Sequence, residues 1–186
     1  MKTPNDLFCI QRIKAGDIRA FSEIVSKYQK MVFSIVLKIV ENKEDAEDIT
    51  QEIFIKVYKS LNSFKDESEF STWLYRIAYN TTISELRKRK IFYVSINEDS
   101  NAVNEEFTDE EEIDEKEIKL KYLDKVLKKL HPDEIFLVTL YYHEEQSIEA
   151  ISRISNLSIA NVKVKLHRIR KKIALELNLL LQNEEK

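Results

Sequence analysis

Apolar residues recur at three- and four-residue spacing along most of the chain, which is the periodicity of amphipathic helices. After an initial segment that Gly16 is expected to end, with Asp17 as the next N-cap, a long apolar stripe begins. It comprises Phe21, Ile24, Val25, Tyr28, Val32, Ile35, Val36 and Ile39. A further stripe follows Asn42, a favoured N-cap residue. It comprises Ala46, Ile49, Ile53, Val57 and Leu61. Both stripes are predicted to face one core.

Another helix is predicted over residues 72–89, with Ser71 as its N-cap. One face is apolar, and a second face mixes aromatic and polar residues before a basic run, RKRK. The second face comprises Trp73, Arg76, Asn80 and Arg87, flanked by Tyr75 and Tyr79. Aromatic rings and cations together suit single-stranded nucleic acid, where bases stack and phosphates pair. A core tryptophan and basic residues at a helix C-terminus are equally ordinary, so the pattern alone leaves both interpretations open.

The second half of the chain contains a helix-turn-helix pattern. A helix over residues 118–130 precedes His131-Pro132, and Asp133 is predicted to cap the next helix. Ser147 then caps a short helix, Asn156 occupies a tight turn, and Ser158 caps a longer helix. The inward stripe of that last helix is predicted to be Ile159, Val162, Leu166, Ile169 and Ile173.

The opposite face of the last helix is strongly basic. It carries Ala160, Asn161, Val164, Lys165, His167, Arg168, Lys171 and Lys172. Clustered cations gain affinity for duplex DNA by releasing counterions, and a helix can enter the major groove. The pattern therefore favours a DNA-reading helix over a basic end of an ordinary bundle.

Composition supports an all-helical fold divided into two domains. The 186 residues include only one Gly and two Pro, too few for the tight turns of a strand-rich fold. The net charge of −3 hides a concentrated acidic segment, because residues 98–117 hold eleven acids and one base. Such a segment buries little apolar surface and is predicted to be a flexible linker. We predict an all-α protein with small helical domains at residues 1–92 and 117–186, joined by an acidic linker at 93–116.

Several classes of protein are disfavoured. Cys9 is the only cysteine, and the three histidines fit no zinc-ligand spacing, so no metal or cofactor is expected. No signal segment or membrane-length apolar run is present, which predicts a cytoplasmic protein that does not insert into a membrane.

The polar face of the helix after Asn42 has a function that periodicity alone leaves open. It presents Ile55 among carboxylates, so either a docking patch or a solvated surface fits. Asp45, Asp48 and Glu52 could in principle bind a divalent metal, as in nucleases. No second carboxylate-bearing segment or nucleophile motif accompanies them, so an enzyme is not expected.

Three stretches together resemble the extracytoplasmic-function (ECF) sigma factors of bacterial RNA polymerase. They are DAEDITQEIFIKVYKSL, then FSTWLYRIAYN with its basic tail, then SIEAISRISNLS followed by NVKVKLHRIRKKI. Each stretch alone is weak evidence, but their order and the acidic linker between them form a specific combination. The resemblance implies a two-domain sigma factor, with sigma domain 2 first and a helix-turn-helix sigma domain 4 second.

The resemblance also implies roles for particular residues. The surface that binds core polymerase would comprise Asp45, Asp48, Gln51, Glu52 and Ile55. The region that opens and reads the minus-ten element would comprise Phe70, Trp73, Arg76, Tyr79, Asn80, Arg87 and Lys88. The reader of the minus-thirty-five element would comprise Ser158, Ala160, Asn161, Lys163, Val164, Lys165, His167, Arg168 and Lys171. Core polymerase and promoter DNA are the implied partners, and an anti-sigma factor is a further candidate.

Some positions depart from the pattern usual in the family. Asn161 stands where Thr is usual, Val164 where Ser is usual, Lys165 where Arg is usual and Ile169 where Ala is usual. Lys165 lacks the bidentate fork that Arg offers to guanine, so promoter sequence cannot be transferred from relatives. The alternative function is a stand-alone helix-turn-helix regulator. Such regulators usually dimerise, whereas we expect this protein to be a monomer when free.

Overall fold

The computed structural model describes the backbone of residues 4–96 and 115–184, and the side chains of residues 6–88 and 121–182. The described parts are helical and contain no strand. The first part contains α1 (Pro4–Lys14), α2 (Ala20–Val40), α3 (Lys43–Ser60), a 3-10 turn (Leu61–Ser63) and α4 (Phe70–Ile96). The second part contains α5 (Glu115–Lys128), α6 (Pro132–Val138), a π-helical turn (Thr139–His143), α7 (Ile148–Ser155) and α8 (Ile159–Glu184).

The first domain has the core that periodicity predicted. The apolar stripe of α3 is buried throughout, as are most of the α2 positions. Asn42 caps α3 as expected, because its side-chain oxygen accepts a hydrogen bond from the Asp45 backbone N–H at 2.9 Å. Gly16 follows the end of α1 with a φ of +99°, a conformation that favours glycine.

Two expected N-caps in this domain are wrong. Helix α2 begins at Ala20, and Asp17 instead accepts a hydrogen bond from the Arg19 backbone N–H while it pairs with Arg12. The backbone N–H of Trp73 already bonds to the carbonyl of Glu69, so α4 begins at Phe70 rather than after Ser71. The earlier start of α4 accompanies aromatic packing, because Phe70 is buried in the core.

The helices at the centre of the chain extend beyond the expected domain limits. α4 continues to Ile96 and α5 begins at Glu115, so both ends of the predicted 93–116 linker are helical. The remaining residues, 97–114, lie outside the described parts of the chain, and the predicted flexibility of the linker lies with them.

The second domain contains the predicted helix-turn-helix. Ser147 caps α7 by accepting from the Ala150 N–H at 3.1 Å, and Asn156 ends it with a φ of +56°. Ser158 then caps α8 by accepting from the Asn161 N–H at 3.2 Å. Ile159 is 43% exposed, so the buried stripe of α8 starts only at Val162. At the first turn of a helix, only part of the stripe has a neighbour to pack against.

The predicted cap of α6 is also wrong. His131, not Asp133, is the N-cap, and a reciprocal capping box joins it to Glu134. Pro132 occupies the first helical position, where its missing N–H costs nothing, and this places the cap one residue earlier. Helix α6 then widens into the π-helical turn, which is a rare form of helix.

The two domains pack against each other through α4. Helix α4 contacts α7 and α6, and α2 also contacts α6. Apolar residues of both domains form one continuous buried cluster, which includes Leu74 and Tyr75 of the first domain and Phe136 and Ile151 of the second. This packing decides which of the predicted functional residues remain accessible.

Candidate polymerase and DNA interfaces

The polar face of α3 lies on the outside of the first domain. Asp48, Gln51 and Ile55 are exposed, whereas Asp45 and Glu52 are half-buried. Ile55 is 40% exposed, although large apolar side chains are usually covered. Glu52 pairs with Lys56 one turn later at 3.4 Å, so part of the acidic face is already neutralised.

An open apolar groove between α2 and α3 adjoins this face. Its apolar lining comprises Ile18, Phe21, Val25, Phe33, Phe54, Ile55 and Tyr58. Ile18 is 66% exposed and Tyr58 41% exposed, so the groove continues the apolar surface at Ile55. Apolar periodicity alone did not predict this groove. Phe21 and Val25 belong to the stripe that was expected to face the core, and both are only half-buried.

The start of α4 rests on an aromatic cluster. The ring of Trp73 packs at 5.7 Å from Phe70 and 5.3 Å from Phe64, between ring centroids. Phe70 also meets Tyr28 edge-on and is only 3% exposed. Phe70 therefore supports Trp73 from beneath and is not accessible at the surface, so its contact with DNA stays a prediction. Trp73 is half-buried and keeps part of its ring at the surface.

The other predicted residues of α4 have different environments. Arg76, Asn80, Arg87 and Lys88 are exposed along one side of the helix, and Lys88 pairs with Glu85 at 2.7 Å. Arg76 lines a polar cleft that also receives Lys65 from the preceding loop and Arg153 from α7.

Tyr79 is half-buried against the second domain. Its hydroxyl donates to Asp133 Oδ1 at 2.9 Å, and its ring meets Phe136 edge-on, with 5.0 Å between centroids. Burial, followed by the hydrogen bond to Asp133, raises the pKa of Tyr79 to about 12. The hydroxyl is therefore a neutral donor at physiological pH.

The basic face of α8 is open. The predicted residues of this helix are all exposed and lie on the side opposite the buried Val162, Leu166 and Ile169: Ala160, Asn161, Lys163, Val164, Lys165, His167, Arg168 and Lys171. Val164 is 46% exposed, so a methyl-sized apolar contact is available between the cations. Ser158 is also exposed, at the start of the helix.

Other cations of α8 serve the fold. Lys172 pairs with Glu134 at 3.0 Å, which ties α8 to α6. Burial alone would raise the pKa of Glu134, but the His131 backbone N–H and the Lys172 ammonium outweigh it and lower that pKa. Arg170 donates to the Leu166 carbonyl and lines the groove between the domains. Lys172 and Arg170 are exposed as well, but these contacts tie them to the fold, unlike the predicted cations, Lys163, Lys165, Arg168 and Lys171, for which no ion pair is seen among the described residues.

The chain has clear relatives in both halves. Residues 24–91 match the family model for Sigma-70 region 2, and residues 120–173 match the model for Sigma-70, region 4. The ECF RNA polymerase sigma factor SigW of Bacillus subtilis is 33% identical over 178 residues, which cover 90% of this chain and 94% of SigW. The chain belongs to the ECF family of RNA polymerase sigma factors. This sigma factor therefore functions in promoter-specific initiation of transcription.

Further similarities agree with that assignment. The ECF sigma-E factor of Escherichia coli K12 is 31% identical to this sigma factor over 176 residues, 90% of this chain and 92% of that relative. Among solved structures, CnrH in complex with the cytosolic domain of CnrY has a TM-score of 0.69, with 19% identity over 94% of this chain and 98% of that chain. RpoE of Bartonella quintana, solved with the anti-sigma factor NepR, has a TM-score of 0.66, with 20% identity over 87% of this chain and 98% of that chain. These structures share the fold.

Matches to both regions favour the sigma-factor assignment over a stand-alone helix-turn-helix regulator. Within the described residues of this sigma factor, no group of three or more His, Cys, Asp or Glu side chains is arranged to hold a metal ion. No described helix is long and apolar enough to cross a membrane.

Proposed function

We propose that this sigma factor binds core RNA polymerase through α3, binds the minus-ten element through α4 and binds the minus-thirty-five element through α8. The observation that carries the proposal is the separation of three exposed surfaces with different chemistry on one fold. One is acidic with an apolar groove beside it, one is aromatic and basic, and one is basic on a helix-turn-helix.

The α3 surface suits a protein partner better than a nucleic acid. Asp48 and Gln51 are exposed beside Ile55, and carboxylates repel a phosphate backbone. An apolar groove with a charged rim is the arrangement into which a helix of a partner can bind. We therefore assign Asp45, Asp48, Gln51, Glu52 and Ile55, together with the groove, to core polymerase.

The two DNA surfaces suit different states of the DNA, one unpaired and the other duplex. The α4 surface offers Trp73, whose partly exposed ring can stack on an unpaired base, with Arg76 and Asn80 beside it. The α8 surface is a helix with cations at its edges and Asn161 and Val164 near its start, which suits the major groove of a duplex. A sigma factor works where its polymerase and template are, so we also propose a cytoplasmic location.

The polymerase assignment is tested by Asp48→Arg. The change reverses a charge on an exposed position away from the buried stripe of α3, so the fold should survive. We expect the variant to lose co-purification with core RNA polymerase. Glu149→Arg, an equal charge reversal on exposed α7, is the matched control and should retain polymerase. Circular dichroism checks that both variants are folded. If Asp48→Arg captures as much polymerase as Glu149→Arg and the unaltered chain, the acidic face of α3 is only a solvated surface.

A further inference from the structure

Helix α4 carries both a predicted DNA surface and the contact with the second domain. Tyr79 belongs to both. Its hydroxyl donates its hydrogen bond to Asp133, and the edge contact with Phe136 covers part of its ring. Phe136 is completely buried, so the first domain completes the core of the second at this point. DNA can contact the whole ring and the hydroxyl of Tyr79 only after Asp133 and Phe136 move away.

A second tyrosine holds the domains together one turn earlier on α4. The Tyr75 hydroxyl donates to Glu144 Oε2 at 2.6 Å and also contacts Met31 Sδ. Tyr75 is 2% exposed, and burial, followed by the hydrogen bond to Glu144, raises its pKa. The other oxygen of Glu144 lies 3.1 Å from His143 Nδ1, so the carboxylate is held from both sides.

The π-helical turn explains how Glu144 reaches this position. A π-turn inserts extra backbone into a helix, and here the Glu144 N–H closes it by bonding to the Thr139 carbonyl at 3.0 Å. The turn ends α6 and places Glu144 beside α4. The two acceptors, Asp133 and Glu144, thus stand at opposite ends of one short helical segment and accept hydrogen bonds from tyrosines one turn apart on α4.

We propose that these two tyrosine–carboxylate bonds form a latch that holds the second domain over α4, so that in the free chain Asp133 and Glu144 compete with DNA for that helix. The proposal rests on the assignment of α4 to DNA made above. Carboxylates are anionic acceptors, as phosphates are, and one chain presents them to α4 at high effective concentration. Arg76 and Arg153 line one cleft from the two domains, and Glu67 belongs to the same lining, so the contact between the domains is polar there.

The first test measures the distance between the domains without DNA. Spin labels on Lys30→Cys in α2 and Asn178→Cys in α8 are at exposed positions, whereas Cys9 is buried, so we expect it to remain unlabelled. We expect a narrow distance distribution in the otherwise unaltered chain. Glu144→Ala should broaden it, and Glu149→Ala, which removes an exposed acid from the same domain, should not. A broad distribution in the unaltered chain, or no broadening in Glu144→Ala, would overturn the latch.

The second test measures DNA binding by the free chain, with a fluorescein-labelled single-stranded DNA of mixed sequence as the probe. Apparent affinity falls with the fraction of molecules that are closed, so opening the latch raises it. Loss of one hydrogen bond should tighten binding about two- to tenfold in Glu144→Ala relative to Glu149→Ala. Tyr75→Phe should give a similar gain, although it changes no charge and keeps the buried ring.

The two measurements separate the latch from the function on which it rests. Broadening of the distance without a gain in DNA binding would overturn the competition. Adding Arg76→Ala to Glu144→Ala should abolish the gain, because Arg76 remains exposed beside Tyr79. If the gain in affinity survives that change, DNA binds elsewhere and the assignment of α4 to DNA fails. The distance measurement would still support the bond between Tyr75 and Glu144 as a contact that holds the domains together.

Discussion

The substitution Arg168→Ala should reduce the salt dependence of duplex binding by a calculable amount. Arg168 is exposed on α8, on the face opposite the buried Leu166 and Ile169, so its loss opens no cavity. Three lysines of the surface that we assign to the minus-thirty-five element are also exposed: Lys163, Lys165 and Lys171. If α8 binds duplex DNA as proposed, we expect each of these four cations to neutralise one phosphate.

The expected size follows from counterion release. Four phosphate contacts give a slope of about −3.6 for the logarithm of affinity against the logarithm of salt concentration, and three give about −2.7. Between about 50 mM and about 200 mM salt, binding should weaken about 150-fold for the unaltered chain and about 40-fold for Arg168→Ala. If Arg168 reaches a base edge instead, the loss is about 1–3 kcal/mol for the preferred base and the slope changes little.

The assay is fluorescence anisotropy of a labelled duplex, titrated with the full chain across this range of salt. Arg170→Ala is the matched control, because Arg170 lies on the same helix but donates to the Leu166 carbonyl and faces the interdomain groove. Its slope should equal that of the unaltered chain. Equal slopes and equal sequence selectivity for Arg168→Ala and the unaltered chain would refute the role given to this residue. So would an equal change in Arg170→Ala.

Two further predictions concern stability. The pKa of Tyr79 is raised to about 12. The hydrogen bond of its hydroxyl therefore contributes fully to the free energy of unfolding below about pH 10, and this contribution disappears as the pH rises through about 12. The free energy of unfolding should fall less steeply in that range for Tyr79→Phe, and an equal fall would contradict the bond. Leu166→Ala should lower the free energy of unfolding by about 2–5 kcal/mol in urea titrations, because Leu166 is 2% exposed. Val164→Ala, on the exposed face, should change the free energy of unfolding by less than about 0.5 kcal/mol. If Leu166→Ala and Val164→Ala lower it by similar amounts, Leu166 does not lie in the core as described.

Local sequence signals predicted most of the helices and their inward faces. The stripe of α3 is buried as expected because 3.6-residue periodicity is a property of one segment and needs no knowledge of its neighbours. The caps at Asn42, Ser147 and Ser158 were also predicted, because each cap bonds a backbone group only three residues away. His131 could have been found as the cap of α6, since Pro132 favours the first helical position.

Where several residues compete for one role, local signals failed. Ser71 is a good N-cap by type, yet the burial of Phe70 moves the start of α4 earlier. Ile159 continues the apolar spacing of α8, yet no neighbouring element covers it. Periodicity predicts which side of a helix is apolar. It does not predict which part of that side has a partner.

The sequence by itself thus determined an all-α protein with a helix-turn-helix, three chemically distinct surfaces and membership of the sigma-factor family. Only the tertiary structure decided that Phe70 lies inside, that a groove lies beside Ile55, and that Tyr75 and Tyr79 bond to the second domain. Those two hydrogen bonds join residues 69 and 54 positions apart in the chain. Local spacing carries no information on such a pairing, because the relative placement of two domains depends on the combined packing of every surface between them.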